Sequence, residues 1–142
     1  MGHVIVGALV ISGIVQLSIG IYVMVQSKWG KNLWFSCLTI AASIYSFGYA
    51  FELTAQTVSE ALVYLRVEYL GIAFLPTLGL LTALEFTGKR WNPSSKPAIA
   101  MLAFSILTLV GMYTTHLHHL YYADLVLTRV GVLTIVQITR GP

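Results

Sequence analysis

The chain has 142 residues, of which 57% are hydrophobic and 9% are charged, and its mean hydropathy is +0.81. A soluble domain carries about 25% charged residues, so a protein this apolar could not cover a water-facing surface with polar groups. The net charge is +3, but the basic residues form no stripe interleaved with aromatic residues of the kind that binds nucleic acids. We therefore expect a membrane protein whose solvent is the lipid bilayer and whose partners include no nucleic acid.

Four segments are long and apolar enough to cross a bilayer, which takes about 20 residues. The predicted transmembrane helices are residues 4–25, 33–53, 62–86 and 97–115. Pro76 lies inside the third helix, where a proline removes a backbone hydrogen bond and usually kinks the helix. Pro97 begins the fourth, where its missing N–H would be unpaired in any case. The sequence thus predicts an all-α membrane protein with four transmembrane helices.

The loops between these segments predict the orientation, because Lys and Arg near helix ends favour the cytoplasmic side. Five of the eight basic residues lie in the first and third loops, whereas the second loop, residues 54–61, has none. A signal peptide is the alternative for residues 4–25, but that segment is too long and no basic residue precedes it. We therefore expect a multi-pass protein of the cell membrane with an external N-terminus.

The last segment, residues 124–140, differs from the others in composition. It is rich in Val, Ile, Leu and Thr on both sides of Gly131, a pattern typical of a β-hairpin. Arg129 interrupts it, and it is short for a membrane helix. The sequence therefore predicts an external β-hairpin rather than a fifth span.

Charged residues inside membrane segments are informative, because each costs a few kcal/mol at a helix centre and persists when it is paired or functional. Glu52, Arg66 and Glu68 lie near the predicted outer ends of the second and third helices. In an antiparallel helix pair, Glu52 and Arg66 would have similar depths, so we predict a salt bridge between them. A purely structural role and a functional role both stay open for these charges, as do a static bend and a hinge for Pro76.

Three histidines, His116, His118 and His119, follow the fourth predicted helix. If the helix continued, His116 and His119 would lie one turn apart and could bind a metal ion together. Two ligands are too few for a structural zinc site, and the only further candidate, Asp124, is distant in the sequence. A pH-responsive cluster is a second interpretation, and a polar end of the helix is the third, which we favour. We expect no metal and no cofactor.

The sequence also lacks the motifs of several enzyme classes. It contains no P-loop, no Gly-x-Ser-x-Gly elbow and no His-Glu-x-x-His pair. We therefore expect this chain not to be an enzyme.

Four blocks of sequence carry a family resemblance, and the most specific runs from Tyr69 to Pro76, where an aromatic residue, a Gly and a Pro follow in order. The blocks are residues 41–52, 66–76, 85–89 and 115–121. They resemble the N-terminal seven-transmembrane sensory region found ahead of bacterial and archaeal histidine kinases, and sometimes ahead of PAS or diguanylate cyclase domains. The resemblance implies that residues 1–142 are part of a seven-helix sensor domain, truncated after the fourth helix and the external segment.

The resemblance also implies partners and a site. The partners would be the remaining helices and the cytoplasmic signalling domain of a parent histidine kinase, a second copy of that parent in a homodimer, and an unknown small ligand. Glu52, Arg66, Pro76 and His116 would shape an outward-facing cavity. The candidate ligand-binding or switch residues are these four together with Glu68, Tyr69 and His119.

These observations predict a membrane-embedded input module that converts an external or membrane signal into helix movement. The first alternative is a small oligomeric transporter or half-transporter, in which repeated helices complete a pathway. The second is a structural or accessory membrane subunit.

Overall fold

The structure is a computed structural model that describes residues 2–26, 32–88, 94–114, 124–130 and 133–139. Its elements are the helices α1 (Gly2–Gln26), α2 (Leu33–Glu52), α3 (Val58–Ile72), α4 (Leu75–Phe86) and α5 (Lys96–Tyr113), and the strands β1 (Asp124–Val130) and β2 (Leu133–Thr139). Within the described residues, four helical spans are long and apolar enough to cross a membrane, because α3 and α4 together form one of them. The prediction of four spans is thus confirmed.

The third span departs from the predicted kinked helix of residues 62–86. Ala73 and Phe74 separate α3 from α4, and Pro76 lies in the first turn of α4. The Phe74 N–H donates to the carbonyl of Gly71 at 3.1 Å, three residues back instead of four. Pro76 has no N–H to continue the ladder, and its fixed φ suits a helix start. Pro76 therefore begins a second helix, and the disturbance expected at Pro76 takes the form of a break just before it.

The same span also begins earlier than predicted, at Val58 instead of residue 62. The Thr57 side chain accepts a hydrogen bond from the Glu60 N–H at 3.2 Å, and Glu60 Oε2 accepts one from the Gln56 N–H at 2.9 Å. A Thr followed three residues later by a Glu is a helix-start pattern, because the two side chains satisfy N–H groups that have no partner in the helix. Capping therefore extends α3 beyond its apolar part.

The helix α2 is the centre of the assembly, in contact with α1, α3 and α4. Its contact with α3 is unusually close at two glycines. A Cβ atom at Gly48 would lie 2.7 Å from Glu68 Cα, and one at Gly71 would lie 2.5 Å from the carbonyl oxygen of Ala41. Small residues let helix backbones touch in a membrane, where lipid supplies no hydrophobic drive for helices to associate. The two contacts run in opposite chain directions, so α2 and α3 are antiparallel.

The core lies on the other half of α2. Buried side chains there come from three helices: Trp34 and Ala41 of α2, Leu78 and Leu81 of α4, and Ala98 of α5. Large apolar side chains of α1 and α5 point outward instead, including Val25, 78% exposed, and Phe104, 68% exposed. Such surfaces suit a lipid environment and not water.

The strands β1 and β2 pair antiparallel, with Asp124 opposite Thr139 and Val130 opposite Leu133. The strand β1 also contacts α3. The external position expected for this segment stays a prediction, as does the external N-terminus.

Replacing Gly71 by Ala should destabilise the protein, because the added Cβ would collide with the Ala41 carbonyl and force α2 and α3 apart. We expect a loss of about 1–3 kcal/mol in the free energy of unfolding. The measurement is circular dichroism of the protein in micelles during titration with a denaturing detergent.

The matched control is Gly79→Ala in α4, where an added Cβ meets nothing within 4 Å. It should leave stability unchanged or raise it by up to about 1 kcal/mol, since Ala favours helix more than Gly does. Equal losses in the two variants would contradict the close backbone contact.

Candidate functional site

Two carboxyl groups approach each other between α2 and α3: Glu52 is the last residue of α2, and Glu68 lies about one turn before the end of α3. Glu52 ends α2 four residues after Gly48, so the two positions share one helix face. The Cα of Glu68 lies against Gly48, and helix side chains lean toward the N-terminus of their helix. In an antiparallel pair that direction leads from Glu68 toward Glu52, so the two carboxyl groups are close enough to interact. Both residues are only 8% exposed.

Two tyrosines of α2 accompany this pair. The rings of Tyr45 and Tyr49 are stacked, with centroids 6.1 Å apart and an interplanar angle of 2°. Tyr45 is close enough to interact electrostatically with both Glu52 and Glu68. The carboxyl pair is therefore bordered by aromatic rings whose hydroxyl groups can donate or accept hydrogen bonds.

The predicted salt bridge between Glu52 and Arg66 is wrong. Both residues are described, and no ion pair joins them; the Arg66 guanidinium carbon lies instead 6.0 Å from the centroid of the Tyr113 ring. Tyr113 also donates its hydroxyl hydrogen to the carbonyl oxygen of Arg66 at 3.0 Å. Residues two apart on a helix do not share a face, so Glu68 can face α2 only while Arg66 faces elsewhere.

The other side of α3 meets α5. Leu65 and Met112 are buried together, and Tyr69 packs against them. Of the predicted site residues, the structure thus brings Glu52 and Glu68 together, and places Arg66 and Tyr69 beside residues of α5. Pro76 lies beyond the break, in α4. His116 and His119 lie outside the described residues.

Buried polar contacts that the sequence did not predict hold α5 and α1 in place. Thr77 Oγ1 and Ser105 Oγ are 2.7 Å apart between α4 and α5, and Ser46 of α2 donates to Gln16 Oε1 of α1 at 3.3 Å. Hydrogen bonds between helices are worth about 0.6–2 kcal/mol each in a membrane. Their sequence signal is weak, because single Ser and Thr residues are common in apolar helices.

Glu85 has a role at the opposite end of α2. Its Oε1 accepts a hydrogen bond from the backbone N–H of Asn32 at 2.9 Å, just before the first turn of α2. A negative charge is favourable there because helix N–H groups point toward it. The acidic side chain of α4 thereby fixes the start of α2.

These features define a multi-pass membrane protein with a polar contact near one end of its helix bundle. In the described part of the chain, no three His, Cys, Asp or Glu side chains are grouped so that they could hold a metal ion.

The family model for the N-terminal 7TM region of histidine kinase matches residues 8–142. The chain belongs to that family, and the resemblance inferred from its sequence blocks is confirmed. It is therefore a membrane-embedded sensory input region of a histidine kinase and not the catalytic part. No curated protein and no solved structure gives a significant match.

Removing the Tyr113 hydroxyl should loosen the contact between α5 and α3. In Tyr113→Phe, the carbonyl of Arg66 loses the bond from α5, and we expect about 1 kcal/mol less stability. Detergent-induced unfolding measures the change. Tyr22→Phe is the matched control, because Tyr22 is 64% exposed on α1 and should tolerate the loss of its hydroxyl. The same stability in both variants would show that the Tyr113 bond contributes nothing.

Proposed function

We propose that the chain receives an external or membrane signal where α2, α3 and α5 meet, and passes it to the kinase through the break between α3 and α4. The observation that carries this proposal is the position of the break. It begins after Ile72, directly beyond the backbone contact of Gly71 with α2.

The two halves of the third span are held by different contacts, which favours a hinge between them. The backbone of α3 is fixed against α2 at Gly71, whereas α4 packs against the first half of α2 and is joined to α5 through the Thr77 and Ser105 hydroxyl groups. Only Ala73 and Phe74 join the halves. Hinges of a few residues at element ends can absorb large backbone changes. A signal moves such a hinge only if it favours one of the two arrangements.

The proposed signal-receiving residues are those expected from the sequence, now divided into two groups. Glu52 and Glu68 form the α2 group, and Arg66 and Tyr69 form the group that contacts α5. His116 and His119 follow α5 closely in the sequence, which supports including them with the second group. The ligand is proposed to be a small molecule, and the parent kinase a homodimer.

The proposed orientation has the N-terminus outside the cell. It is supported by the five basic residues of the predicted first and third loops, of which Lys96 lies in the first turn of α5. The loop of residues 53–57 and the carboxyl pair would then lie toward the outside, where an external signal arrives.

Cysteine labelling in intact cells tests this orientation. In a Cys37→Ala background, a cysteine at exposed Gln56 should react with a membrane-impermeant maleimide, because the second loop is external. A cysteine at exposed Ser94 should react only after the cells are permeabilised. The reverse pattern would place the N-terminus in the cytoplasm.

The transporter alternative draws on the same break, because discontinuous helices line the binding sites of many transporters. Those proteins use such helices in pairs, one in each repeat. Within the described residues, one span of the four is divided. The single divided span among the described residues and the membership in a kinase sensory family both favour signalling over transport.

Replacing Pro76 by Ala in the parent kinase should restore an N–H at the start of α4 and favour a continuous third span. We expect basal autophosphorylation in membrane vesicles to change at least about fivefold, the lower range of measured coupling between sites. Phosphate transfer from labelled ATP measures it, and the amount of protein in the membrane should not change.

The matched control is Pro97→Ala, since Pro97 occupies the corresponding early position in α5. It should leave autophosphorylation at the wild-type level. Unchanged phosphorylation in Pro76→Ala, with normal membrane insertion, would exclude the break as the moving part.

A further inference from the structure

The buried contact between Glu52 and Glu68 lacks a hydrogen-bond donor. An ionised carboxylate only accepts hydrogen bonds, so two that face each other offer no donor to either partner. Glu68 Oε2 is fully buried and has no hydrogen-bond partner among the described residues. A buried acceptor without a donor costs about 1–3 kcal/mol, and more when it is charged. The geometry therefore calls for a donor between the two side chains.

No neighbouring side chain in the described residues donates to Glu68 Oε2, and this includes the hydroxyl groups of Tyr45 and Tyr49. Arg66 is exposed, and its guanidinium lies over the Tyr113 ring instead of near the pair. In the described residues, no third carboxylate, Cys or His joins the two glutamates in a group that could bind a metal. A hydrogen carried by one of the two carboxyl groups fits, because a protonated carboxyl group has one O–H donor.

We propose that Glu52 and Glu68 form a proton-binding site in which one hydrogen is shared between their carboxyl groups. Binding takes one proton from solution and forms an O–H bond on one carboxyl group, which donates to the other. The charge of the pair changes from two negative charges to one. Glu52 is the last residue of α2, beside the loop of residues 53–57, and gives the proton its route in and out.

Because α2 and α3 are in close contact, the bound proton should affect the stability of the protein. Glu68 cannot move away along its own backbone, because its Cα lies against Gly48 and Gly71 lies against Ala41. Loss of the proton therefore leaves two like charges confined at this contact, where low polarity strengthens their repulsion. The protein should be more stable with the proton bound than without it.

Other ionisable groups face the same region and set the local field. Tyr45 of α2 interacts with both carboxyl groups, and Tyr49 stacks on Tyr45. On α3 itself, Arg66 and Tyr69 lie toward α5, whose Tyr113 contacts Arg66. The strand β1 also contacts α3. None of the described side chains donates a hydrogen bond to Glu68 Oε2.

The proton site is independent of the signalling role proposed above, because it depends on the contact of the pair and not on kinase output. Its test therefore needs only the chain itself in lipid nanodiscs. Infrared spectroscopy detects the carbonyl stretch of an un-ionised carboxylic acid, which is distinct from that of a carboxylate. At neutral pH the wild-type protein should show this band with the intensity of one acid group per chain. The band should disappear as the pH is raised.

Single replacements assign the band. Glu52→Gln and Glu68→Gln should each remove it, because the amide N–H donates to the remaining carboxylate, which then needs no proton. The control Glu60→Gln should keep it, since Glu60 is exposed in the first turn of α3 and accepts from a backbone N–H. Absence of the band from the wild-type protein at neutral pH would overturn the proposal. So would its persistence in both pair variants, which would show that the un-ionised acid does not depend on a hydrogen shared between the two side chains.

Stability against pH gives a second measurement that needs no variant. The wild-type midpoint of thermal unfolding should fall as the pH rises through proton release, since the protonated pair is the stable form. Glu68→Gln, which carries its own N–H donor, should show no such fall over the same range. A wild-type midpoint that is flat or rises over that range would contradict a shared proton.

Discussion

The spacing between α2 and α3 is the constraint on which the candidate site depends. Lipid does not press helices together as water does, so their separation is set by how closely the backbones can fit. At Gly48 and Gly71 the two backbones touch, and a methyl group at either position would collide with the opposite chain. This contact places Glu68 one turn from Glu52 and buries both. Without it, each carboxyl group could turn toward water at the end of the bundle.

Polar contacts then fix the remaining helices around α2. Glu85 of α4 binds the start of α2, Gln16 of α1 binds Ser46 near its middle, and the Thr77 contact ties α5 to α4. Each bond is modest, but an unpaired polar group in hydrocarbon is costly, so each also disfavours other packing arrangements. The apolar surface that these helices expose is suited to face lipid.

The sequence predicted the spans well because a backbone in lipid must satisfy its hydrogen bonds within each helix, which makes long apolar segments diagnostic. It predicted the site less well, because hydropathy gives the depth of Arg66 and Glu68 but not the direction each faces. The neighbouring glycines contained that information: Gly48 is four residues from Glu52, and Gly71 is three from Glu68, so each shares a helix face with its acid. Similarly, Pro76 indicated a disturbance of the third span, but the sequence did not show whether the helix would bend there or end and restart.

The distance between the carboxyl pair and the break suggests how one could act on the other. Glu68 and Gly71 are separated by less than one helical turn, and α3 ends at the residue after Gly71. A helical turn is stiff, so any displacement of Glu68 from Glu52 must also shift Gly71 against the Ala41 carbonyl, where there is no free space. The strain can be relieved at Phe74, whose N–H bonds three residues back, to Gly71, instead of four. A change of charge at the pair would therefore be felt first at the break, and α4 is the element that it would move.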